Sequence, residues 1–272
     1  MERLKRALEK ARVNAGRPKG PPDASPLPLA PQTTTAVGSR GVLAERARAV
    51  AVDPMNLERH RIVAGNKEDL RTASFDLLRT QVLREMRNNG YRTLAVTSPV
   101  AQCGKTTLAI NLALSIASRT DPSVLLGDFD FRRPKIAEYL GIRPDRDLSD
   151  YLSGDALLEE VLVDPGIPNL LLLPNLKARR GAAEALTSPH MRSLMEALKT
   201  ADMERVYVLD LPPMLPTDDT MSFLPYVDAV LMVVADGSTK KPDLDESLRL
   251  LTGAPLLGVV LNKSDAKLRS YY

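Results

Sequence analysis

Short apolar runs alternate with helix-like stretches along most of the chain. Strands that alternate with helices are typical of a mostly parallel sheet, and nearly continuous apolar strands are buried on both faces. The pattern therefore predicts an α/β fold with helices on both faces of the sheet and with ligands at the carboxyl ends of the strands. Six runs are predicted to form strands: Thr93–Thr97, Val124–Asp128, Leu170–Leu173, Val206–Leu209, Ala229–Ala235 and Leu257–Asn262.

The N-terminal part of the chain has a different pattern. Apolar side chains recur at helical spacing between Leu4 and Ala11, which predicts a short amphipathic helix at residues 1–16. Residues 17–50 are rich in Pro, Gly, Ser and Thr, a composition that does not bury enough apolar surface to fold and predicts a flexible linker. We therefore expect the folded domain to occupy residues 51–272.

The N-terminal part and the rest of the chain also differ in net charge. The whole sequence has a formal net charge of +3, and residues 1–50 hold ten basic and four acidic side chains, so the remainder is slightly acidic. A basic amphipathic helix on a linker could dock on anionic lipid or on a membrane protein, although many such termini are merely solvated. The acidic domain and the absence of Trp disfavour a nucleic-acid partner.

The same composition predicts a cytoplasmic protein. No apolar run approaches the roughly 20 residues that cross a bilayer, and the charged N-terminus lacks the apolar core of a signal peptide. The single cysteine fits a reducing compartment. We therefore expect a cytoplasmic location, with peripheral membrane association through the N-terminal helix or a partner.

The segment at residues 96–107, directly after the first predicted strand, carries the clearest chemistry. It reads Val-Thr-Ser-Pro-Val-Ala-Gln-Cys-Gly-Lys-Thr-Thr. A Gly-Lys-Thr sequence that opens a helix is typical of a phosphate-binding loop, in which Lys105 binds phosphate oxygens and the Thr106 hydroxyl reaches Mg²⁺. Pro99 stands where the usual motif has its first glycine, five residues before Gly104. The sequence therefore predicts a P-loop NTPase that binds a nucleoside triphosphate.

Carboxylates follow two further predicted strands. Asp128 and Asp130 lie on one face of an extended chain, where both could contact one metal ion or one reacting hydroxyl. Asp210 ends another strand and precedes Leu-Pro-Pro, which is the form of a Walker B aspartate. Because strand ends meet at one edge of a parallel sheet, these carboxylates are expected near the phosphate-binding loop.

Four segments together resemble one family, the bacterial tyrosine kinases of capsule and exopolysaccharide synthesis, over about residues 75–265. The Asp-x-Asp segment is the most specific match, because the family's Walker A′ motif has this spacing. The resemblance implies a P-loop kinase or ATPase domain with a short tyrosine tail. The four segments are Gly104–Thr107 with the helix that follows, Asp128-x-Asp130-x-Arg132-Arg133-Pro134, Asp210-x-Pro212-Pro213, and Gly258–Asn262.

The resemblance also implies a binding site for ATP and Mg²⁺. Gly104 and Lys105 would contact the phosphates, and Thr107 would hydrogen-bond one of them. Thr106 would bind Mg²⁺, together with Asp210 in the metal's ligand shell.

Two further carboxylates would serve phosphate transfer. By the resemblance, Asp128 accepts the proton of the tyrosine hydroxyl and also belongs to the metal site. Asp130 assists the metal shell or orients the substrate, and the roles of these two residues could be exchanged. Asn262 would reach the nucleotide base.

The family phosphorylates tyrosines in its own C-terminal tail, usually in a neighbouring subunit. Tyr271 and Tyr272 are therefore the expected phosphoacceptors. Family members carry a Glu-x-x-Arg-x-x-Arg helix between the subunits of a ring, and the aligned positions here are Ala73, Asp76 and Arg79. Only the last arginine matches, so a homo-oligomer is expected but the usual ring contacts are incomplete. The resemblance further implies a transmembrane polysaccharide co-polymerase as activating partner.

Two alternatives remain open from the sequence. Residues 262–265, Asn-Lys-Ser-Asp, also fit the guanine-recognition pattern of GTPases. ATP is favoured because the segment Asp210-Leu-Pro-Pro lacks the glycine of their second switch. The other alternative is a regulatory P-loop ATPase that acts as a nucleotide switch for a polysaccharide or division-site partner without phosphorylating tyrosine.

Overall fold

The computed structural model describes residues 47–66, 68–119, 122–179 and 181–264. They form an eight-stranded sheet in the order β1-β4-β5-β3-β6-β2-β7-β8. Neighbouring strands are parallel except for the antiparallel pair β4 and β5. The strands are β1 Arg48–Ala49, β2 Thr93–Thr97, β3 Val124–Asp128, β4 Val163–Asp164, β5 Leu170–Leu173, β6 Val206–Asp210, β7 Ala229–Ala235 and β8 Leu256–Asn262.

The helices lie between the strands, as the alternating pattern predicts. They are α1 Pro54–Arg59, α2 Thr72–Asn89, α3 Lys105–Arg119, α4 Ile136–Leu140, α5 Leu148–Ser153, α6 Leu158–Val161, α7 Ala182–Leu186, α8 Pro189–Ala201, α9 Asp219–Phe223 and α10 Lys241–Leu250. None of the helices in this described part of the chain is both long and apolar enough to cross a membrane.

All six predicted strands are confirmed, with changes of one residue at the end of β6 and at the start of β8. The two strands that the pattern missed, β1 and β4, have two residues each, which is too short for an alternation signal. Arg48 and Val50 donate backbone N–H groups to the carbonyls of Leu162 and Asp164. The folded domain therefore begins inside the segment predicted as linker, a few residues before residue 51.

The core consists of two apolar layers on opposite faces of the sheet. Successive side chains of a strand point to opposite faces, and β2 shows this clearly. Leu94 and Val96 pack in the layer that contains α2 and α3, whereas Ala95 packs in the layer that contains α8. All three side chains are fully buried. The predicted α/β fold of a P-loop NTPase, mostly parallel and covered on both faces, is confirmed.

A polar network links α2 to α3, the helix that follows the phosphate-binding loop. Arg79 Nη1 donates to Asp76 Oδ1 at 2.7 Å and to Ser115 Oγ at 3.1 Å. Ser115 Oγ donates to the same Asp76 oxygen at 2.8 Å. Arg79, the residue that matches the family's ring-forming pattern, therefore makes contacts within its own chain.

Several predictions fall on residues that are not described. The amphipathic helix at 1–16, most of the linker at 17–50 and Asp265 of the possible guanine-recognition pattern lie outside the described residues. The predicted phosphoacceptors Tyr271 and Tyr272 lie there as well. These statements stay predictions.

Asn111, on α3, ties the segment before α2 to the centre of the domain. Its Oδ1 accepts the backbone N–H groups of Val63 and Ala64 at 2.7 and 2.9 Å. Its Nδ2 donates to the carbonyls of Arg61 and Thr107 at 3.0 and 2.8 Å. The side chain is fully buried, so these bonds have little competition from water.

We expect Asn111→Ala to lower the free energy of unfolding by about 2–4 kcal/mol, because it leaves buried N–H and carbonyl groups without partners. Urea unfolding followed by circular dichroism measures this change. The exposed Asn89, at the end of α2, provides the control, because Asn89→Ala should change stability by about 0.5 kcal/mol or less. Equal effects of the two substitutions would contradict the role of Asn111.

Candidate active site

The strand order brings the predicted site residues to one edge of the sheet. β6 lies between β3 and β2, so the loops that follow these three strands are neighbours. The register pairs Asp128 with Asp210 across β3 and β6, and pairs Val96 with Asp210 across β2 and β6. The phosphate-binding loop and both acidic strand ends therefore meet at the carboxyl edge of the sheet, as expected for a nucleotide site.

The phosphate-binding loop is shaped by its contact with the end of β8. Gly104 has φ +87°, a conformation that favours glycine, and a Cβ atom there would lie 2.3 Å from Asn262 Nδ2. Asn262 Nδ2 donates to the Cys103 carbonyl at 2.8 Å. Lys263 Nζ donates to the Gln102 carbonyl at 2.7 Å. Asn262, predicted to reach the nucleotide base, thus contacts the phosphate-binding loop in this structure.

Pro99, the departure from the usual loop sequence, lies where the loop meets the segment after β6. Its carbonyl accepts the N–H of Leu215 at 3.1 Å, and the carbonyl of Ser98 accepts the N–H of Met214 at 2.8 Å. These bonds use carbonyl groups, so they do not depend on the backbone N–H that proline lacks. The segment that follows β6 therefore holds the start of the loop in place.

Lys105 lies among the carboxylates at the start of α3. Its Nζ is 2.8 Å from Asp130 Oδ2 and 3.4 Å from Asp210 Oδ1, and its side chain is 11% exposed. Burial alone would lower the pKa of Lys105, but the Asp210 and Asp130 carboxylates outweigh it and raise that pKa above its usual value. Lys105 therefore stays protonated and offsets the repulsion between the carboxylates.

Thr106 and Asp210 supply adjacent oxygen ligands. The Thr106 hydroxyl donates to Asp210 Oδ2 at 2.6 Å, and both side chains are buried. Burial and, to a smaller extent, the neighbouring Asp130 raise the pKa of Asp210, against the opposing effect of Lys105. A hydroxyl and a carboxylate fit Mg²⁺, which takes one or two protein oxygens and completes its shell with phosphate and water.

The described residues include no group of three or more His, Cys, Asp or Glu side chains that could hold a metal ion. Such a cage is not needed for a magnesium site that shares its ion with phosphates. The donor set at Thr106 and Asp210 is therefore compatible with Mg²⁺ brought by a nucleotide.

Asp128 is held by backbone donors at the start of α4. Its Oδ2 accepts the N–H groups of Lys135 and Ile136, both at 2.9 Å, and its Oδ1 accepts the N–H of Asp130 at 3.3 Å. The side chain is fully buried. Burial, followed by repulsion from Asp210, raises the pKa of Asp128 to about 8, although the backbone donors and Lys105 oppose this. At about pH 7 a carboxyl group with this pKa is mostly protonated, and its ionised fraction is a stronger base than an ordinary aspartate.

Asp130 has a different environment from Asp128. Its Oδ1 accepts the N–H of Arg133 at 2.9 Å, and its Oδ2 is the closest carboxylate oxygen to Lys105. The two carboxylates are therefore distinguishable, since Asp128 is bound by backbone N–H groups and Asp130 by a lysine.

The structure thus brings together Gly104, Lys105 and Thr106 with the three predicted carboxylates. Thr107 lies in the first turn of α3, where its carbonyl accepts the Asn111 amide. Sequence reasoning missed Asp219, which pairs with Arg132 at the edge of this site. The sequence shows two adjacent aspartates at residues 218–219, but Arg132 lies far from them in sequence, so no local pattern indicates the contact.

We expect Asp128→Asn to be more stable than the wild type at high pH. Folded Asp128 keeps its proton up to about pH 8, whereas an unfolded aspartate releases it near about pH 4. The folded state binds the extra proton in this range, so wild-type stability falls as pH rises towards about 8 and asparagine removes that loss. Urea unfolding should show a difference of about 1 kcal/mol or more at about pH 9 and a smaller one at about pH 5.

Asp145→Asn serves as the control for this measurement, because Asp145 carries the same charge on a side chain that is 69% exposed. Its pH dependence of stability should match the wild type. A destabilised Asp128→Asn variant at high pH would contradict the raised pKa.

Comparison with known proteins places the chain in a family. The chain is 31% identical over 193 residues to tyrosine-protein kinase CpsD of Streptococcus pneumoniae, a match that covers 69% of this chain and 82% of that protein. It is 26% identical over 202 residues to tyrosine-protein kinase ptk of Acinetobacter johnsonii, covering 72% of this chain but only 27% of that protein. The chain therefore spans about a quarter of the length of some relatives.

Two solved structures are also similar. The kinase domain of VpsO is 29% identical with a TM-score of 0.64, and the match covers 72% of this chain and 97% of that domain. Cobyrinic acid a,c-diamide synthase of Mycobacterium smegmatis, solved with an ATP analogue and magnesium, is 25% identical with a TM-score of 0.51, over 63% of this chain and 74% of that one.

No protein-family model matches the chain. The match to CpsD nevertheless exceeds 30% identity and covers more than two thirds of both chains. The chain belongs to the bacterial tyrosine kinase (BY-kinase) family.

Proposed function

We propose that this chain is an ATP-dependent protein tyrosine kinase that phosphorylates its own C-terminal tyrosines and regulates the synthesis or export of a capsular polysaccharide or exopolysaccharide. The observation that carries the proposal is the position of Asp128. This carboxyl is fixed by backbone donors, has a pKa of about 8, and lies opposite Asp210 at the mouth of a phosphate-binding loop. The ionised form of Asp128, a minority near neutral pH and a stronger base than an ordinary aspartate, would accept the proton of a tyrosine hydroxyl, whose ordinary pKa is about 10.

Nucleotide binding would rearrange the charges around Lys105. Its ammonium group, now 2.8 Å from Asp130 Oδ2, would turn to the β- and γ-phosphates of ATP, while backbone N–H groups of the loop and the start of α3 bind further phosphate oxygens. Thr106 and Asp210 would hold Mg²⁺, which neutralises phosphate charge when bound. The solved cobyrinic acid a,c-diamide synthase, with its ATP analogue and magnesium, supports this assignment for a related fold.

Phosphate transfer then requires mainly that the reacting groups are correctly positioned and that one group accepts the proton. The tyrosine oxygen forms a bond to the γ-phosphorus, the bond from that phosphorus to the bridging oxygen breaks, and ADP leaves. The hydroxyl proton passes to an Asp128 oxygen. Asp130, released by Lys105, would orient the incoming hydroxyl from the same loop.

The proposed acceptors are Tyr271 and Tyr272 of a neighbouring subunit. Tyr271 lies nine positions after Asn262, which gives an extended reach of at most about 30 Å. That length would let the tail reach the site of an adjacent subunit, with little slack. The proposal therefore includes a homo-oligomer with transfer between subunits.

The cellular setting follows from the family rather than from the site. We propose a cytoplasmic protein whose activator is a transmembrane polysaccharide co-polymerase, reached through the basic segment at residues 1–16. Relatives with the names CpsD and EpsB support a role in such systems.

A second candidate function is a regulatory ATPase that switches a partner without tyrosine transfer. The observation that favours it is that Arg79 hydrogen-bonds Asp76 and Ser115 of its own chain. A contact of Arg79 with a neighbouring subunit of a ring would have to replace those bonds. ADP formation without phosphotyrosine would identify this alternative.

We expect Lys105→Met to abolish transfer and to weaken nucleotide binding by at least about tenfold, since it removes a charge-assisted phosphate contact. Asp128→Asn should bind nucleotide with affinity within about threefold of the wild type yet lose transfer by about 100-fold or more, because it removes the proton acceptor. Phosphotyrosine detected after incubation with MgATP, and binding of a non-hydrolysable ATP analogue, measure the two effects.

Lys199→Met provides a matched control at the opposite edge of the sheet, where Lys199 lies 3.8 Å from Asp228. It removes the same charge and should leave both measurements unchanged. Normal phosphotyrosine formation by Asp128→Asn would contradict the role of that carboxyl as proton acceptor.

A further inference from the structure

A second cross-loop ion pair lies beside the candidate active site. Arg132 is two residues beyond Asp130 in the loop after β3, and Asp219 is the first residue of α9, beyond the loop after β6. Arg132 Nε donates to Asp219 Oδ2 at 2.5 Å, and Nη2 donates to Oδ1 at 3.1 Å. The Asp219 side chain is 1% exposed and that of Arg132 is 49% exposed.

This pair has the geometry of a positioning contact. A planar guanidinium that binds both oxygens of one carboxylate fixes their relative orientation, which a lysine or a single hydrogen bond does not. The pair also raises the pKa of Arg132, chiefly through its hydrogen bonds with Asp219. Removal of Arg132 would leave the buried Asp219 carboxylate without its cation, which is unfavourable.

Both ends of the pair are attached to rigid parts of the site. Thr220 Oγ1, next to Asp219, donates to the Pro212 carbonyl at 2.7 Å, and Thr97 Oγ1 at the end of β2 donates to the same carbonyl at 2.7 Å. Next to Arg132, the Phe131 carbonyl accepts the N–H of Arg179 at 2.8 Å. A displacement of Arg132 would therefore be transmitted to the loop that carries Asp128 and Asp130.

In this structure Lys105 joins the same two loops, because it contacts both Asp130 and Asp210. That link is lost if Lys105 turns to a phosphate group, a step that belongs to the function proposed above. The loop that carries Asp130 and the strand end that carries Asp210 would then lack the link through Lys105. The contact between Arg132 and Asp219 does not involve Lys105 and would remain.

We propose that Arg132 and Asp219 are positioning residues that hold the loop of Asp128 and Asp130 against the loop of Asp210 while Lys105 binds the nucleotide. Neither residue needs to touch substrate for this role. Their effect is on the rate of the chemical step, through the distance between the proton acceptor and the bound phosphates.

The test compares Arg132→Gln, Asp219→Asn and the double variant in the full-length chain, with kcat and KM for MgATP measured from ADP and phosphotyrosine formation. Each single variant should lower kcat on the order of tenfold to 100-fold, the size expected for misplaced reacting groups. KM for MgATP should change by less than about threefold, because no nucleotide contact is removed. The double variant should be no slower than the slower single variant, since both remove one shared contact.

Three further measurements keep the result decisive. Arg192→Gln alters an exposed arginine on α8, outside the site, and should behave as the wild type. Arg132→Lys should keep only part of the wild-type rate, because lysine cannot make the bidentate contact. Hydrogen exchange should be faster in residues 129–135 and 211–218 of Asp219→Asn, a near-isosteric variant, and unchanged in α8. This readout does not depend on catalysis.

The outcomes separate this proposal from the proposed function. If the wild type forms ADP but no phosphotyrosine, the kinase proposal fails, and slower ADP formation with faster exchange in the two loops still supports the positioning pair. An Arg132→Gln variant with wild-type kcat, losses that multiply in the double variant, or unchanged exchange in Asp219→Asn would overturn it.

Discussion

Three buried carboxylates around one lysine are the constraint on which the rest of the site depends. Asp128 and Asp210 end adjacent strands in direct register, and Asp130 follows at hydrogen-bonding distance from Lys105. Such a cluster is unfavourable unless each charge is paired or neutralised. The Lys105 ammonium group and the backbone donors at the start of α4 provide that compensation, and a proton on Asp128 removes one of the charges.

The architecture around the cluster is arranged to hold these donors in place. The start of α4 donates two N–H groups to Asp128, and α4 in turn packs against α1 through stacked rings of Tyr139 and His60, with centroids 4.0 Å apart. Asn111 attaches the chain after α1 to α3, whose first residue is Lys105. The segment that follows the predicted linker therefore supports both the lysine and the principal carboxylate.

Much of this arrangement follows from the sequence, and the remainder does not for physical reasons. Long apolar runs and carboxylates at strand ends are local signals, so the six main strands, the phosphate-binding loop and the carboxylates Asp128 and Asp210 were all predictable. The two-residue strands are too short to have a period. Contacts such as Arg132 with Asp219 join residues that are remote in sequence, and no local pattern indicates which charges will meet.

For Asn262, the sequence indicates where the residue lies but not which group it contacts. Its position at a strand end near the candidate active site was predictable, but its contact with the Cys103 carbonyl depends on how β8 meets the loop around Gly104. In the same way Arg79 was recognised as a family position, while its bonds to Ser115 depend on the packing of α2 against α3. Tertiary packing selects the partner in both cases.

The most direct test of the account is intact-protein mass spectrometry of the full-length chain after incubation with MgATP, with and without membranes, for the wild type and for Tyr271→Phe/Tyr272→Phe. The account predicts a mass increase by whole phosphate groups in the wild type that disappears in the double variant. ADP formation without any mass increase in the wild type would contradict tyrosine autophosphorylation, and an undiminished increase in the double variant would contradict the assigned acceptors.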